Sequence, residues 1–214
     1  MARFLKISGD FSRWNIYRKA ACVCDVTEMF IRRAFPDKTR TIDQMRQAAR
    51  SCKQNIVEGV TDCTVSMEMG IKLVGIARGS LRELMEDYID FLYQNDLSVW
   101  KLEDQVTIRA RDFCRQCDDR VEFKAKCKDC SDESVANIMI TEIRQLDAMI
   151  ASLLETMEQQ FLSEGGLKES MYKARIEWRK INLGFWYNYK SDKYKIYKIY
   201  KIYKIYKIYK IYKI

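Results

Sequence analysis

Histidine is absent from the 214-residue sequence. Its absence excludes the Ser-His-Asp triad, the Cys-His nucleophile pair and general acid–base catalysis by imidazole. It also removes a frequent metal ligand, the imidazole nitrogen. Helical bundles that hold two metal ions use Glu-x-x-His motifs, which this chain cannot supply. We therefore expect a protein that is not an enzyme and has no small-molecule substrate.

Helix breakers and long apolar runs are scarce. The chain has one proline, Pro36, and eight glycines, and none of these glycines forms a GxxxxGK or GxGxxG phosphate-binding loop. Ala, Leu, Met, Glu, Arg and Gln are abundant, which favours an all-α chain. The sequence contains no apolar run of about eighteen residues and no apolar signal-peptide core. We therefore expect a cytoplasmic protein with no membrane partner.

Positive charge is in excess only at the C-terminal end. The chain carries 38 Lys and Arg against 30 Asp and Glu, a formal net charge of +8. The surplus equals the eight lysines from Lys193 onward, and residues 1–192 are formally neutral. The sequence pI of about 9.0 therefore reflects the tail and gives no information on the partners of the body.

A Lys-Ile-Tyr repeat makes up most of this tail. Its period of three matches neither the strand period of two nor the helix period of 3.6, so it gives no single buried face. Two interpretations follow. The repeat is a low-complexity appendage, disordered or prone to aggregation. Alternatively, it is a basic-aromatic arm that neutralises phosphates and stacks on bases.

Apolar residues recur at three- and four-residue spacing in four long segments, which predicts four long helices. The first covers Phe11–Ala34. The second begins at Thr41, which with Gln44 matches a capping box, and stops at Gly59. The third and fourth cover about residues 66–93 and 134–163.

Long helices with short links predict an antiparallel up-down four-helix bundle over residues 1–164. Residues 94–131 are an irregular, cysteine-rich connection with one shorter helix over about 100–117. Residues 165–184 form an extra short amphipathic helix, and 185–214 are the low-complexity tail. On the third helix, Gly70, Gly75 and Gly79 are expected to let a neighbouring helix approach closely.

Two charged stripes follow helical spacing. The basic stripe is Arg46, Arg50 and Lys53 on the second helix. The acidic stripe is Glu83, Asp87 and Asp90 on the third helix. In one interpretation the two stripes pair, within a protomer or across a subunit interface. In the other, the basic stripe lines a surface that binds the RNA or DNA backbone.

Four cysteines have the spacing of a zinc site. Cys114-x2-Cys117 and Cys127-x2-Cys130 are separated by nine residues, and four thiolates can hold zinc tetrahedrally in a reducing compartment. Such a zinc would be structural, because four protein ligands leave no open position. The alternative is four ordinary thiols in a variable connection. The other four cysteines are expected to be small core residues: Cys22, Cys24, Cys52 and Cys63.

Two motifs resemble a known bacterial family. Gln47–Gly59 ends in Asn-Ile-x-Glu-Gly, and Gly79–Leu84 reads Gly-Ser-Leu-x-Glu-Leu. This pattern resembles the four-helix-bundle proteins encoded by intervening sequences of ribosomal RNA genes. The segment "QFLSEGGLKESMYKARIEWRK" resembles the four-helix-bundle suffix domain found on a subset of that family, and the likeness extends over about residues 4–181.

The resemblance implies an antiparallel four-helix bundle, a homo-oligomer with five subunits and no established catalytic site. A related branch binds a reverse transcriptase and nucleic acid through a basic surface. The neutral body of this chain departs from that branch. Two functional hypotheses remain: a self-associating bundle that binds RNA or DNA, or a structural oligomer and protein-interaction scaffold with no nucleic-acid role.

Overall fold

The computed structural model describes residues 11–35, 39–63, 65–166, 168–182, 193, 195–198 and 200–201. All regular structure in these ranges is helical, as predicted from the composition. A 3-10 turn, Phe11–Arg13, comes before the first α-helix. Six α-helices follow it: α1 Asn15–Ala34, α2 Thr39–Asp62, α3 Met67–Gln94, α4 Gln105–Gln116, α5 Arg120–Lys128 and α6 Asp132–Glu164.

Side-chain caps fix the first turns of three helices. The Ser66 hydroxyl accepts a hydrogen bond from the Met69 N–H at 3.3 Å at the start of α3. The Asp119 carboxylate accepts from two N–H groups of α5, both at 2.9 Å. The Ser131 hydroxyl accepts from the Ser134 N–H at 3.2 Å at the start of α6. These caps satisfy donors that have no partner within the helix.

The predicted ends of the second helix are wrong. Helix α2 begins at Thr39, so Thr41 lies in its first turn and not at the N-cap. Boundary predictions of this kind shift by a residue or two because propensity continues past a capping signal. Gly59 does not end the helix, which continues to Asp62.

Gly59 and Gly70 lie where α2 and α3 approach most closely. A Cβ atom on Gly59 would lie 2.7 Å from Val74 Cγ2 and 2.9 Å from the Gly70 carbonyl oxygen. A Cβ atom on Gly70 would lie 2.6 Å from the Gly59 carbonyl oxygen. The prediction of close packing is therefore confirmed for Gly70. It is wrong for Gly75 and Gly79, where an added Cβ would meet nothing within 4 Å.

Four helices share the main core. Helix α2 packs on α1 and α3, and α6 packs on both α1 and α3. At three of these interfaces the two helices run in opposite directions, because residue numbers increase along one helix as they decrease along its neighbour. The contacts are Cys24–Ala49 and Glu28–Arg46, Ser51–Ser80 and Gly59–Gly70, and Lys19–Glu142 and Arg33–Asp132.

The core follows the apolar seams read from the sequence. On α2 and α6, most seam residues are buried: Met45, Ala49, Cys52, Ile56, Met139, Ile143, Leu146, Ile150 and Met157. The Phe30 ring packs on Tyr88 and Phe91, each with centroids 4.9 Å apart. The buried Tyr88 hydroxyl bonds to Thr27 Oγ1 at 2.9 Å, so this polar group inside the core has a partner.

The connection from 94 to 131 contains two helices where the sequence predicted one. Helix α4 begins at Gln105, later than the predicted start at Trp100, and packs on α6. The segment before it is held to α6, since Asn137 Oδ1 accepts from the Trp100 N–H at 2.8 Å and its amide donates to the Ser98 carbonyl at 2.9 Å. Helix α5 was not predicted, because it is short and charged and buries only two side chains, Phe123 and Cys127. It packs on α1.

The described residues divide into two compact units, 11–166 and those from 168 onward. Residues 168–182 form one helix, called here the C-terminal helix. The described residues of the repeat, 193, 195–198, 200 and 201, are also helical, and the rest of the predicted low-complexity tail lies outside the described residues. No helix in the described ranges is long and apolar enough to cross a membrane.

Candidate functional site

The basic stripe begins on the side of α2 that lies next to α1. Arg46 forms ion pairs with Glu28 of α1 at 2.8 Å and with Asp43 at 3.1 Å. These arginine contacts lower the pKa of the Glu28 carboxyl. Lys53 lies close enough to Cys24 of α1 to oppose the effect of burial on the pKa of that thiol. One member of the stripe is therefore already neutralised by α1.

Arg50 differs from Arg46 in its partners. Its guanidinium is exposed and donates to the side-chain oxygen of Gln54 at 3.2 Å. Among the described residues, neither Arg50 nor Lys53 forms an ion pair with a carboxylate. These two cations therefore keep charge that no described carboxylate neutralises.

The acidic stripe on α3 has the opposite charge and is likewise unpaired. In the part of the chain that the structure describes, Glu83, Asp87 and Asp90 form no ion pair. Asp87 is half-buried, and burial, with the neighbouring charges of Asp90 and Glu83, raises the pKa of its carboxyl to about 6. No cation contributes to this shift. The three carboxylates therefore form a patch of uncompensated negative charge.

A groove of about 530 Å³ lies between α2 and α3, and the acidic stripe forms part of one wall. Its lining residues are Gln44, Gln47, Ala48 and Ser51 from α2 and Ser80, Glu83, Glu86 and Asp87 from α3. We call it the α2–α3 groove. A smaller depression of about 190 Å³ adjoins it through Gln47 and Ser51 and includes Arg50. Glu86 belongs to the acidic wall although the stripe pattern did not include it.

Within one chain, the described residues do not pair the two stripes with each other. Arg46 pairs with Glu28 of α1, and Glu83 and Asp87 line the groove. Arg50 lines the smaller depression, which shares Gln47 and Ser51 with the groove. Pairing across a subunit interface remains a prediction. The groove presents amides, hydroxyls and carboxylates, which can bind a cationic surface and would repel phosphates.

Three of the four cysteines of the predicted zinc site donate hydrogen bonds to backbone carbonyls. Cys114 Sγ donates to the Ile138 carbonyl at 3.8 Å, Cys117 Sγ to the Asp119 carbonyl at 3.9 Å and Cys130 Sγ to the Lys126 carbonyl at 3.2 Å. Burial raises the pKa of the Cys127 thiol to about 12. Among the described residues, no group of three or more His, Cys, Asp or Glu side chains is placed to hold a metal ion. The zinc prediction gains no support from this geometry.

A buried ion pair was missed by the sequence analysis. Lys19 is 3% exposed and Glu142 is fully buried, and the lysine Nζ lies 3.2 Å from both carboxylate oxygens. The lysine also donates to the Cys114 carbonyl. Burial raises the pKa of the Glu142 carboxyl, and Lys19 opposes that rise. The signal was present in the sequence: each residue interrupts an apolar stretch of its helix.

Arg78 was the one charged residue on an apolar face of the third helix, and the structure shows why. Its guanidinium and that of Arg82 both bind the Asp147 carboxylate of α6, with Nε–Oδ1 distances of 2.8 and 3.0 Å. These contacts lower the pKa of the Asp147 carboxyl. The three residues join α3 to α6.

Comparison with protein-family profiles, curated proteins and solved structures finds no match to this chain.

Proposed function

We propose that the chain is a non-enzymatic helical scaffold that self-associates. In this proposal α1, α2, α3 and α6 form an antiparallel four-helix bundle, and α4 and α5 are inserted between α3 and α6. The cyclic packing of these four helices and the opposed residue numbering across their interfaces support this arrangement. The motifs in α2 and α3 support membership of the ribosomal-RNA intervening-sequence type of bundle protein, with the suffix domain at residues 165–184 and a cytoplasmic location.

The observation that carries the proposal is the presence of two unpaired sets of opposite charge on neighbouring helices. Arg50 and Lys53 lack a carboxylate partner among the described residues, and so do Glu83, Asp87 and Asp90. We call these five residues the charged face. If one copy places its basic stripe on the acidic stripe of another, both sets are neutralised and the raised pKa of Asp87 falls again.

Self-association explains the charged face better than binding of RNA or DNA. A nucleic-acid backbone contacting Arg50 and Lys53 would also approach the acidic wall at Glu83, Glu86 and Asp87, which repels phosphates. Arg46 is already paired with Glu28 and contributes little net charge. We therefore favour the scaffold over the nucleic-acid hypothesis for the bundle.

A charge-swap experiment tests the proposal. One variant of the full chain carries Glu83→Lys and Asp87→Lys, and a second carries Arg50→Glu and Lys53→Glu. Each variant alone should be monomeric in sedimentation velocity, because like charges would meet at the interface. A chain that carries all four substitutions should assemble again, because its changed stripes are complementary to each other at every interface, whatever the number of subunits. The wild-type sedimentation coefficient also gives the number of subunits, which the family resemblance puts at five.

Salt and a matched variant complete the test. Assembly should weaken between about 0.05 and 0.5 M salt, because partly exposed charges are screened over a few ångströms at the higher value. Two exposed bases on helices that do not carry the charged face, Arg109→Glu in α4 and Lys124→Glu in α5, provide a control of equal charge change. A wild-type chain that is monomeric at micromolar concentration contradicts the proposal. Equal loss of assembly in the control contradicts the assignment to the charged face.

Labelled RNA and DNA separate the two functional hypotheses. The full chain with Arg46→Gln, Arg50→Gln and Lys53→Gln should bind either nucleic acid with the affinity and salt slope of the wild type. The basic stripe is a nucleic-acid surface if the triple variant loses affinity and if the slope of log affinity against log salt concentration falls by the amount expected for about three lost phosphate contacts.

A further inference from the structure

The C-terminal helix carries exposed, large apolar side chains on one face. At 100° per residue, Met171, Ala174, Trp178 and Ile181 fall within an arc of about 80°. Met171 is 55% exposed, Trp178 65% and Ile181 67%. Apolar seam residues of α1, α2, α3 and α6 are, by contrast, mostly buried. Large apolar side chains grouped on one exposed face indicate a binding surface.

The C-terminal helix carries more positive than negative charge, and most of the positive charge near the apolar face lies along one of its edges. Residues 168–182 contain five Lys and Arg and two Glu, a net charge of +3. On the helical projection Arg175 and Lys168 lie about 40° and 60° beyond one edge of the apolar arc, and Glu177 lies about 40° beyond the other edge. Arg179 and Lys173 lie about 80° beyond opposite edges, and Lys180 lies on the far side. All five basic residues are exposed. The repeat that follows adds eight lysines, and its described residues Ile196, Tyr197 and Tyr200 are also exposed.

We propose that the C-terminal helix binds an anionic lipid surface and lies in the plane of the headgroups. Trp178, Met171 and Ile181 would enter the boundary of the acyl chains, while the basic residues contact the headgroups. Helices that bind in this way combine an apolar face containing Trp, Phe or Leu with a Lys/Arg-rich polar face. The repeat would add a second, electrostatic attraction, since clusters of lysine are drawn to anionic leaflets.

The apolar face decides between a lipid surface and a nucleic acid as the partner. Phosphates of RNA or DNA attract the same basic residues, but their binding leaves Met171 and Ile181 in water. A lipid surface neutralises the charge and also buries the apolar side chains. The expectation of no membrane partner came from the lack of a spanning segment. A helix lying on the surface needs no such segment.

Vesicle binding by the full chain tests the electrostatic part. Large unilamellar vesicles of phosphatidylcholine alone are compared with vesicles containing 30 mol% phosphatidylglycerol, on the order of one anionic lipid in three. We expect co-sedimentation with the anionic vesicles and little with the neutral ones. Replacing Lys173, Arg175 and Arg179 by Gln should weaken binding about a hundredfold, because each base near an anionic surface contributes about fivefold.

Matched control variants separate local from general charge effects. Lys72→Gln, Arg109→Gln and Lys124→Gln change the net charge equally at exposed positions of α3, α4 and α5. This control should keep the wild-type affinity to within about threefold. If both triple variants lose binding equally, the attraction is a property of net charge, and the assignment to the C-terminal helix is overturned.

The apolar variants provide the deciding measurement. Trp178→Ala combined with Ile181→Ala should weaken binding to anionic vesicles at least tenfold, because both side chains lose their burial in lipid. The control pair, Ile76→Ala and Tyr93→Ala, removes side chains of α3 that are 44% and 68% exposed and should leave binding unchanged. Circular dichroism should not change in either pair, and the unfolding midpoint should change little, because three of the four side chains are mainly in water and Ile76 is 44% exposed.

Two outcomes overturn the proposal. One is a full chain that does not bind the anionic vesicles at low salt. The other is an apolar pair that binds them as tightly as the wild type, because charge alone would then explain the affinity. In the second case a single-stranded RNA of about 20 nucleotides is tested on the same variants. Tight RNA binding that depends on Lys173, Arg175 and Arg179 would assign the helix to nucleic acid. The self-association test uses different residues, so either proposal can fail without the other.

Discussion

Replacing glycine by alanine in α2 and α3 should raise the free energy of unfolding where the glycine is exposed and lower it where the two helices touch. Alanine at an exposed, helical glycine stabilises a protein by about 1 kcal/mol, because it reduces the backbone entropy of the unfolded chain. Gly75 and Gly79 are exposed and have open space where a Cβ would lie. Gly75→Ala and Gly79→Ala should therefore each raise the free energy of unfolding by about 0.5–1 kcal/mol.

Gly59 and Gly70 should behave in the opposite way. Each new Cβ would lie less than 3 Å from a carbonyl oxygen of the facing helix, at 2.9 Å for Gly59 and 2.6 Å for Gly70. A main-chain atom cannot move aside as a flexible side chain can, so the two helices must separate. Overpacking of this kind costs about 1–3 kcal/mol, and a backbone clash belongs at the upper end. After the gain in helix propensity, we expect each variant to lose about 2 kcal/mol.

Urea unfolding followed by circular dichroism at 222 nm measures the difference between the two classes. With a slope of about 2 kcal/mol per molar urea, a gap of about 3 kcal/mol separates the midpoints by about 1.5 M. Gly70, Gly75 and Gly79 all lie in α3, so the comparison holds the helix constant. If Gly59→Ala and Gly70→Ala stabilise the protein as much as the other two, α2 and α3 do not approach at these glycines and the packing argument is refuted.

Three further predictions concern buried or crowded polar groups. Lys19→Met should cost about 3–5 kcal/mol, measured by urea unfolding, because it leaves the Glu142 carboxylate buried without its cation. Adding Glu142→Met should recover most of that loss, and a double variant as unstable as the single one contradicts the pairing. Asp87 has a raised pKa of about 6, so the stability from its protonation is present below its usual pKa and lost as the pH rises through about 6. In the dissociated chain, Asp87→Asn should therefore be more stable than the wild type by about 1 kcal/mol at pH 8, after allowance for solvent screening, and equal to it near pH 4. Zinc content, measured by dye release after thiol modification, should be well below one per chain, while one zinc per chain would establish the four-thiolate site at Cys114, Cys117, Cys127 and Cys130.

The three- and four-residue spacing of apolar residues predicted the long helices, because the residues with that spacing form the buried core. The seam of α6, from Met139 to Met157, was read from three- and four-residue steps and is largely buried. The predicted helix end at Gly59 was wrong, because glycine occurs at helix ends and also where two helices pack closely, as it does here. Helix α5 was missed because its nine residues bury too little apolar surface to give a pattern.

The charged groups could be located from the sequence but their partners could not. Arg46, Arg50 and Lys53 share one helix face, yet that spacing does not reveal which neighbour lies beside it. Helix α1 provides that neighbour, and Glu28 neutralises Arg46. Pairing is a property of the tertiary arrangement, so a stripe read from one helix gives its sign and position only.

The distribution of charge separates the chain into parts with different physical tendencies. Residues 1–164 carry 24 Lys and Arg against 27 Asp and Glu, a net charge of −3, and the ion pair between Lys19 and Glu142 is buried. Among the described surface residues, Arg50 and Lys53 and the acidic stripe remain as local charges of opposite sign. The C-terminal helix has a net charge of +3 and an exposed apolar face, so it favours a surface that is both anionic and apolar. Because the two surfaces share no residue, an assembly held together through the bundles would present several C-terminal helices at once. Several weak contacts with one surface bind far more tightly than one, since each later contact is intramolecular. Charge-swap variants that dissociate the assembly should therefore weaken vesicle binding by more than tenfold while leaving the affinity of each C-terminal helix unchanged, and equal vesicle binding by monomer and assembly would show that the two surfaces act independently.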